Sequence, residues 1–245
     1  MSSTTWTPTA VASSASRVRL AAWRAVEAQH RVSTIRLVDT LDEQAELEQL
    51  LEGSKPSLPQ APAGLHWLLA TPFRYPPLPQ GSRFRGPTDP GVFYGAEARR
   101  TACAELGYWR WRFLLDSPAL ATLEALPQTL FTAHVVALAV DLREPPLARD
   151  AQAWTHPQDY SACQAFARQA RDAGVAAIRY ASVRDPQHGG CIAVLSPAVF
   201  VPGDLQEQAW RLTVTRTRVF WHRDSALHAD AFEFVTATWH GAHPA

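Results

Sequence analysis

The sequence predicts an α+β fold, with a mixed, mostly antiparallel sheet as its core and a helical appendage at the N-terminus. Three observations carry this expectation. Apolar, β-branched runs such as Leu130–Asp141 (LFTAHVVALAVD), Val175–Tyr180 and Cys191–Leu195 have the length and composition of strands. Helical patterns lie between them without the regular β-α-β alternation that a doubly wound sheet requires. A chain of 245 residues, 47% of them hydrophobic, is long enough to bury one large core with an appendage beside it.

In chain order, residues 1–12 are small, polar and aperiodic, which predicts a disordered tail. In Ser13–Gln29, Val18, Ala21, Ala22 and Val26 recur near helical spacing, and the segment reads as a first helix. Thr40-Leu41-Asp42-Glu43 has the pattern of a capping box, and a second helix follows until Gly53. Ser54–Gly64, rich in Pro and small residues, reads as a linker that closes the 13–64 appendage. The main domain is then expected over 65–245. Residues 75–91 carry five Pro and three Gly and read as loop, followed by a short strand at Val92–Tyr94 and a helix from Ala96 to about Phe113. A further helix is expected over Tyr160–Asp172, with Gly174 ending it. Leu212–Phe220 alternates polar and apolar residues as a half-exposed strand does.

Bulk properties exclude several functions. Lys+Arg and Asp+Glu both total 23, so no net charge draws the chain onto nucleic acid or a membrane surface. No apolar run reaches the eighteen residues a spanning helix needs, and Met1–Thr9 lacks the order of a secretory signal. Cys103, Cys163 and Cys191 form neither a disulfide framework nor a metal pair, and buried thiols in a reducing cytoplasm are expected. The nine histidines include no pair at ligand spacing, and no metal is expected.

Three local patterns bear on chemistry. With the helix taken as Ala98–Arg110, Arg99, Arg100, Gly107 and Arg110 fall on one side and Glu105 nearly opposite, on the stripe of Ala98, Ala102 and Trp109. A carboxylate on an inward face is either paired with a core arginine or open to a cleft. Upstream, Arg74-Tyr75 precedes a Pro-Pro loop and Arg83-Phe84-Arg85-Gly86 follows it, a pattern that fits either an anion with a flat ring or a solvated loop. Ser182 emerges at the end of an apolar strand, where a hydroxyl either reaches a cleft or satisfies a turn. Neither a dinucleotide-binding nor a phosphate-loop glycine motif is present, and no G-x-S-x-G surrounds Ser182.

The runs FRYPPLPQGSRF, VFYGAEARRTACAELGYWR and IRYASVRDP, in this order, resemble the RES domain, named for an Arg, a Glu and a Ser. The likeness extends over about Leu65–Phe200, and VEAQHRVSTIRLVDTLDEQAELEQLLEGSKPSLP resembles the leader of longer members. It implies a fold similar to ADP-ribosyltransferases, and a toxin that degrades NAD and is restrained by an Xre-type antitoxin. NAD is then a substrate rather than a cofactor. Phosphorolysis, with inorganic phosphate as co-substrate, is the leading reaction; hydrolysis and protein ADP-ribosylation are the alternatives, and a silent interaction module is the non-enzyme one. Carried over residue by residue, Arg74, Glu105 and Ser182 would be catalytic, and Tyr75, Arg83 and Tyr94 would bind substrate. The second arginine of the family sits in Gly-Arg-Trp, whereas this chain has Ser82-Arg83-Phe84, so Arg83 and Arg85 both remain candidates. The partners implied are the antitoxin and NAD, without direct nucleic-acid or membrane contact, and the appendage offers a surface for self-association.

Overall fold

The computed structural model describes residues 6–28, 64–77 and 79–240, with a few positions between 40 and 50. Eight strands form one sheet: β1 (Ser16–Glu27), β2 (Phe93–Ala96), β3 (Leu123–Asp141), β4 (Ala177–Ala181), β5 (Gly190–Val194), β6 (Glu207–Val214), β7 (Arg218–Arg223) and β8 (Ala231–Val235). Their order is β1-β2-β5-β4-β3-β6-β7-β8, and β1 also pairs with β3, so the first five close into a ring. Every pairing is antiparallel except β3 with β4. The expected mixed, mostly antiparallel α+β core is therefore present.

The N-terminal expectations need correction. The segment read as the first helix is β1, which runs beside β3 in twelve consecutive pairs from Ser16↔Ala139 to Glu27↔Gln128. Its side chains follow a period of two: Val18, Leu20 and Ala22 turn inward, while Arg17, Arg19 and Ala21 face out. Alanines suit a helix, but here the partner strand decides. The part of the tail from Trp6 onward is ordered as well. Thr7 caps a short helix, α1 (Pro8–Ser13), by accepting from the Ala10 amide. Trp6 is buried, meets Phe166 edge-on and donates Nε1–H to Asp150 at 2.8 Å. The capping box forms: the Glu43 amide donates to Thr40 Oγ1 and the Thr40 amide to Glu43 Oε2. The linker residues 54–63 lie outside the described residues.

Further along, Trp67–Arg74 forms α2, for which no element was foreseen. The helix expected to carry Glu105 is α3 (Arg99–Leu115). Its core face, with Cys103, Ala104, Gly107, Tyr108 and Trp111, packs on β6, β7 and β8. Gly107 thus belongs to the buried face rather than to the arginine side: a Cβ there would stand 3.0 Å from Val219 Cγ1, so the bare backbone permits the close approach. After the short α4 (Ala151–Trp154), α5 (Ser161–Asp172) ends at Gly174, with φ +70°, as foreseen. The expected strand at Leu212–Phe220 is instead a hairpin that turns at residues 215–217 between β6 and β7. A last short helix, α6 (Ala237–His240), closes the described chain.

Candidate active site

The ring end of the sheet and α3 enclose a cleft of about 380 Å³. Glu105 enters it from α3, on the stripe with Ala102, Leu106 and Trp109. Trp109 is 55% exposed and forms part of the cleft wall rather than the core. The open alternative for Glu105 is thereby decided in favour of the cleft: among the described residues no arginine pairs with it. Its Oε1 instead accepts the Ser182 hydroxyl at 2.5 Å, with the Cys191 thiol 3.9 Å away.

Ser182 is fully buried just beyond β4, and its oxygen accepts the amides of Arg184 (3.2 Å) and Asp185 (2.9 Å). With two amides received and one proton given, the hydroxyl is saturated. Its proton goes to Glu105, which it holds in the cleft. Asp185, itself buried, accepts the Thr101 hydroxyl at 2.8 Å, and Trp239 Nε1–H donates to the Arg184 carbonyl at 2.6 Å. The loop after β4 is therefore pinned to α3 and α6, and Glu105 is pinned to the loop.

Three arginines line the same cleft as the carboxylate. Arg83 sits at the tip of a tight turn closed by Ser82 N–H to Arg85 O (2.7 Å) and Arg85 N–H to Ser82 O (3.1 Å). Phe84 beside it is buried against Tyr180. Arg83 enters the Glu105 cleft, donates to the carbonyls of Trp154 and His156, and lies 4.6 Å above the Tyr160 ring. Arg85 points away, to the carbonyls of Asp89 and Tyr75. The choice between the two arginines falls on Arg83. Arg184 is 3% exposed, with its guanidinium 3.8 Å over the Tyr108 ring and Nη2 on the Pro157 carbonyl.

The third, Arg24, comes from β1. Its contacts are the Tyr94 carbonyl at 3.5 Å and the face of Phe93 at 4.7 Å, and no carboxylate among the described residues pairs with it. Burial pulls its pKa down to about 10, so it remains a cation at neutral pH. Reading β1 as a helix concealed this residue; the strand alternation Arg17-Val18-Arg19-Leu20 was the signal that would have found it. Tyr94 also lines the cleft: its hydroxyl bonds Ser82 Oγ at 2.7 Å and accepts the Phe84 amide. Burial pushes its pKa up to about 12, so it stays neutral.

Two expected residues are not brought here. Arg74 lies in the last turn of α2 and lines no part of this cleft, and Tyr75 opens onto a neighbouring one. Among the described residues no cluster of His, Cys, Asp and Glu suits a metal, and no helix is long and apolar enough to cross a membrane.

No curated protein sequence matches the chain. Among solved structures, a chain of the Mycobacterium tuberculosis MbcT–MbcA toxin–antitoxin complex is similar, with 16% identity and a TM-score of 0.48 over 85% of this chain and 90% of that one. The RES domain family model matches residues 57–215, a span that contains Arg83, Tyr94, Glu105 and Ser182. By that match the chain belongs to the RES domain family.

Proposed function

We propose that this protein degrades NAD by breaking the nicotinamide–ribose bond, with inorganic phosphate as the acceptor. The observation that carries the reading is one carboxylate, Glu105, fixed by Ser182 in a cleft that also contains Arg24, Arg83 and Arg184. Three cations against one anion favour an anionic ligand, and the rings of Trp23, Trp109 and Tyr160 favour a flat one.

The chemistry follows from these charges. As the C1″–N bond lengthens, its electron pair moves to the nicotinamide, which leaves neutral, and positive charge develops on the ribose. Glu105 stabilises that charge or orients the ribose hydroxyls. A phosphate oxygen forms the new C1″–O bond, giving ADP-ribose 1″-phosphate. The arginines neutralise the diphosphate and the incoming phosphate, and Tyr94, kept neutral, packs and hydrogen-bonds without repelling either. Because Glu105 precedes Ser182 in the chain, the mechanism is drawn from this cleft alone and not from transferases with the order Arg-Ser-Glu.

Product analysis by mass spectrometry, with and without phosphate, tests the acceptor. ADP-ribose 1″-phosphate supports phosphorolysis, free ADP-ribose supports hydrolysis, and label on protein supports transfer. Glu105→Gln should lower turnover by about 10² to 10³, the usual effect of losing one such electrostatic contact; a variant with wild-type turnover refutes the role. A toxic NAD-consuming enzyme requires restraint, and the partner proposed is an Xre-type antitoxin that covers the cleft. Co-purification with a small Xre-like neighbour, and loss of NAD consumption in that complex, would support it.

A further inference from the structure

The Glu105 cleft opens beside a second one of about 350 Å³, and the two share a wall built by Gly81 and Ser82. Arg24 and Tyr94 line both. Among the described residues, no carboxylate lines the second cleft. Its wall carries Trp67 and Tyr75, 47% and 41% exposed, from the two ends of α2, with Pro76 and Pro77 between Tyr75 and the shared wall in sequence. Two large rings left open to water on one concave surface form an apolar platform that a flat ligand would cover.

The relation between the clefts is informative. At their junction stands Arg24, a desolvated cation without a carboxylate partner among the described residues. A ligand that satisfied it would be negative at its middle, with one end beside Glu105 and the other on the aromatic platform. A dinucleotide has this form: two ring-bearing nucleosides joined by a diphosphate.

We propose that the second cleft is an adenosine subsite. The substrate lies across the Ser82–Tyr94 ridge with its diphosphate at Arg24, its ribosyl-nicotinamide beside Glu105 and its adenine against Trp67 and Tyr75. This rests on NAD as the substrate, and it gives Tyr75 a place: it contacts the half of the ligand remote from the reaction. The subsite makes the enzyme selective for the dinucleotide over the mononucleotide.

Nicotinamide mononucleotide, which has the same scissile bond and no adenylate, is the probe. Wild-type protein should prefer NAD to the mononucleotide by tenfold or more in kcat/KM, within the range that stacking of one base on aromatic side chains provides. Trp67→Ala combined with Tyr75→Ala should bring that preference to within about threefold of parity, acting through the KM for NAD. Equal kcat/KM for the two substrates in the wild type, or an undiminished preference in the double variant, overturns the subsite. Calorimetric titration with AMP separates this inference from the reaction beneath it. AMP that binds the wild type and not the double variant upholds the subsite even in a protein that leaves NAD intact. AMP that binds neither, or both equally, overturns it even where NAD is consumed. Circular dichroism and melting of the double variant identify a loss caused by misfolding. In that case the single variants Trp67→Phe and Tyr75→Phe should retain the preference, whereas Trp67→Ser alone should reduce it.

Discussion

At the residue scale, Ser182 and Arg24 teach opposite lessons about what a sequence reveals. Ser182 could be singled out from its position after an apolar strand and from family resemblance, and in the fold it gives its proton to Glu105 and receives two amides while fully buried. Ser182→Ala removes the acceptor for both amides and the donor to Glu105. Each unsatisfied buried group costs about 1–3 kcal/mol, so thermal melting should show a clear loss of stability. Turnover should fall about tenfold or more with the KM for NAD little changed, because Glu105 loses its orientation rather than the ligand its contacts. A Ser182→Ala protein with wild-type melting and turnover would leave the hydroxyl without a role. Arg24 was invisible for a physical reason. Alanines around it satisfy a helical period, and only the pairing with β3 makes the segment a strand and turns the arginine into the cleft. Arg24→Ala should raise the KM for NAD by roughly tenfold to a hundredfold, the worth of one charge-assisted hydrogen bond. Measured with NAD and phosphate varied separately, the effect should follow NAD.

At the element scale, the legible features were those whose signal is local. The Thr40 capping box, the Gly174 helix end and the apolar strands β3, β4 and β5 depend on neighbours in sequence, and all form, although β3 begins at Leu123 rather than Leu130. The helix carrying Glu105 was also legible, although one of its faces was misjudged. Gly107 falls on the arginine side by angle, but α3 lies so close to β7 that its missing side chain is what fits. Gly107→Val would place atoms against Val219 and Trp221; overpacking of this kind costs about 1–3 kcal/mol, more than helix propensity returns. Chemical denaturation should show a lower midpoint with little change of slope, and an unchanged midpoint would mean that α3 is free to move outward. The ordered segment from Trp6 onward was missed because its anchors are long-range contacts. Trp6 is held by Phe166 and Asp150, about 140 or more positions away in the chain. Trp6→Ala should cost about 3–5 kcal/mol, as large-to-small changes of buried aromatics do, and should release the α1 segment to proteolysis.

At the scale of the whole molecule, three segments far apart in the chain meet in one charge network beside the ring of strands. Glu97, between β2 and α3, accepts from Arg143 at 3.0 Å and from Arg179 at 2.7 Å. Asp141, at the end of β3, accepts from the same two guanidiniums at 2.7 and 3.1 Å. Two carboxylates and two arginines, all partly buried, thus join β2, α3, β3 and β4 at the junction where the strand order turns from antiparallel to parallel. Burial opposes ionisation of both acids, but the hydrogen bonds and charges of Arg143 and Arg179 outweigh it and hold both pKa values below their ordinary range. A depressed folded-state pKa means that the unfolded chain binds the proton more readily. The network therefore stabilises the fold fully above the unfolded carboxylate range, near pH 4, and loses that contribution as pH falls through the lower folded values. The melting temperature should fall as pH drops from about 5 to 3. The fall should be shallower in a variant carrying Glu97→Gln and Asp141→Asn, which has no proton to take up at these positions. That variant should be less stable than the wild type at pH 7, since it leaves Arg143 and Arg179 without their counter-charges, and the two should converge towards pH 3. Parallel melting curves for the two proteins across this range would assign the acid sensitivity to other carboxylates, Asp89 being the next candidate, since Arg168 and the Gly86 amide hold its pKa low against burial.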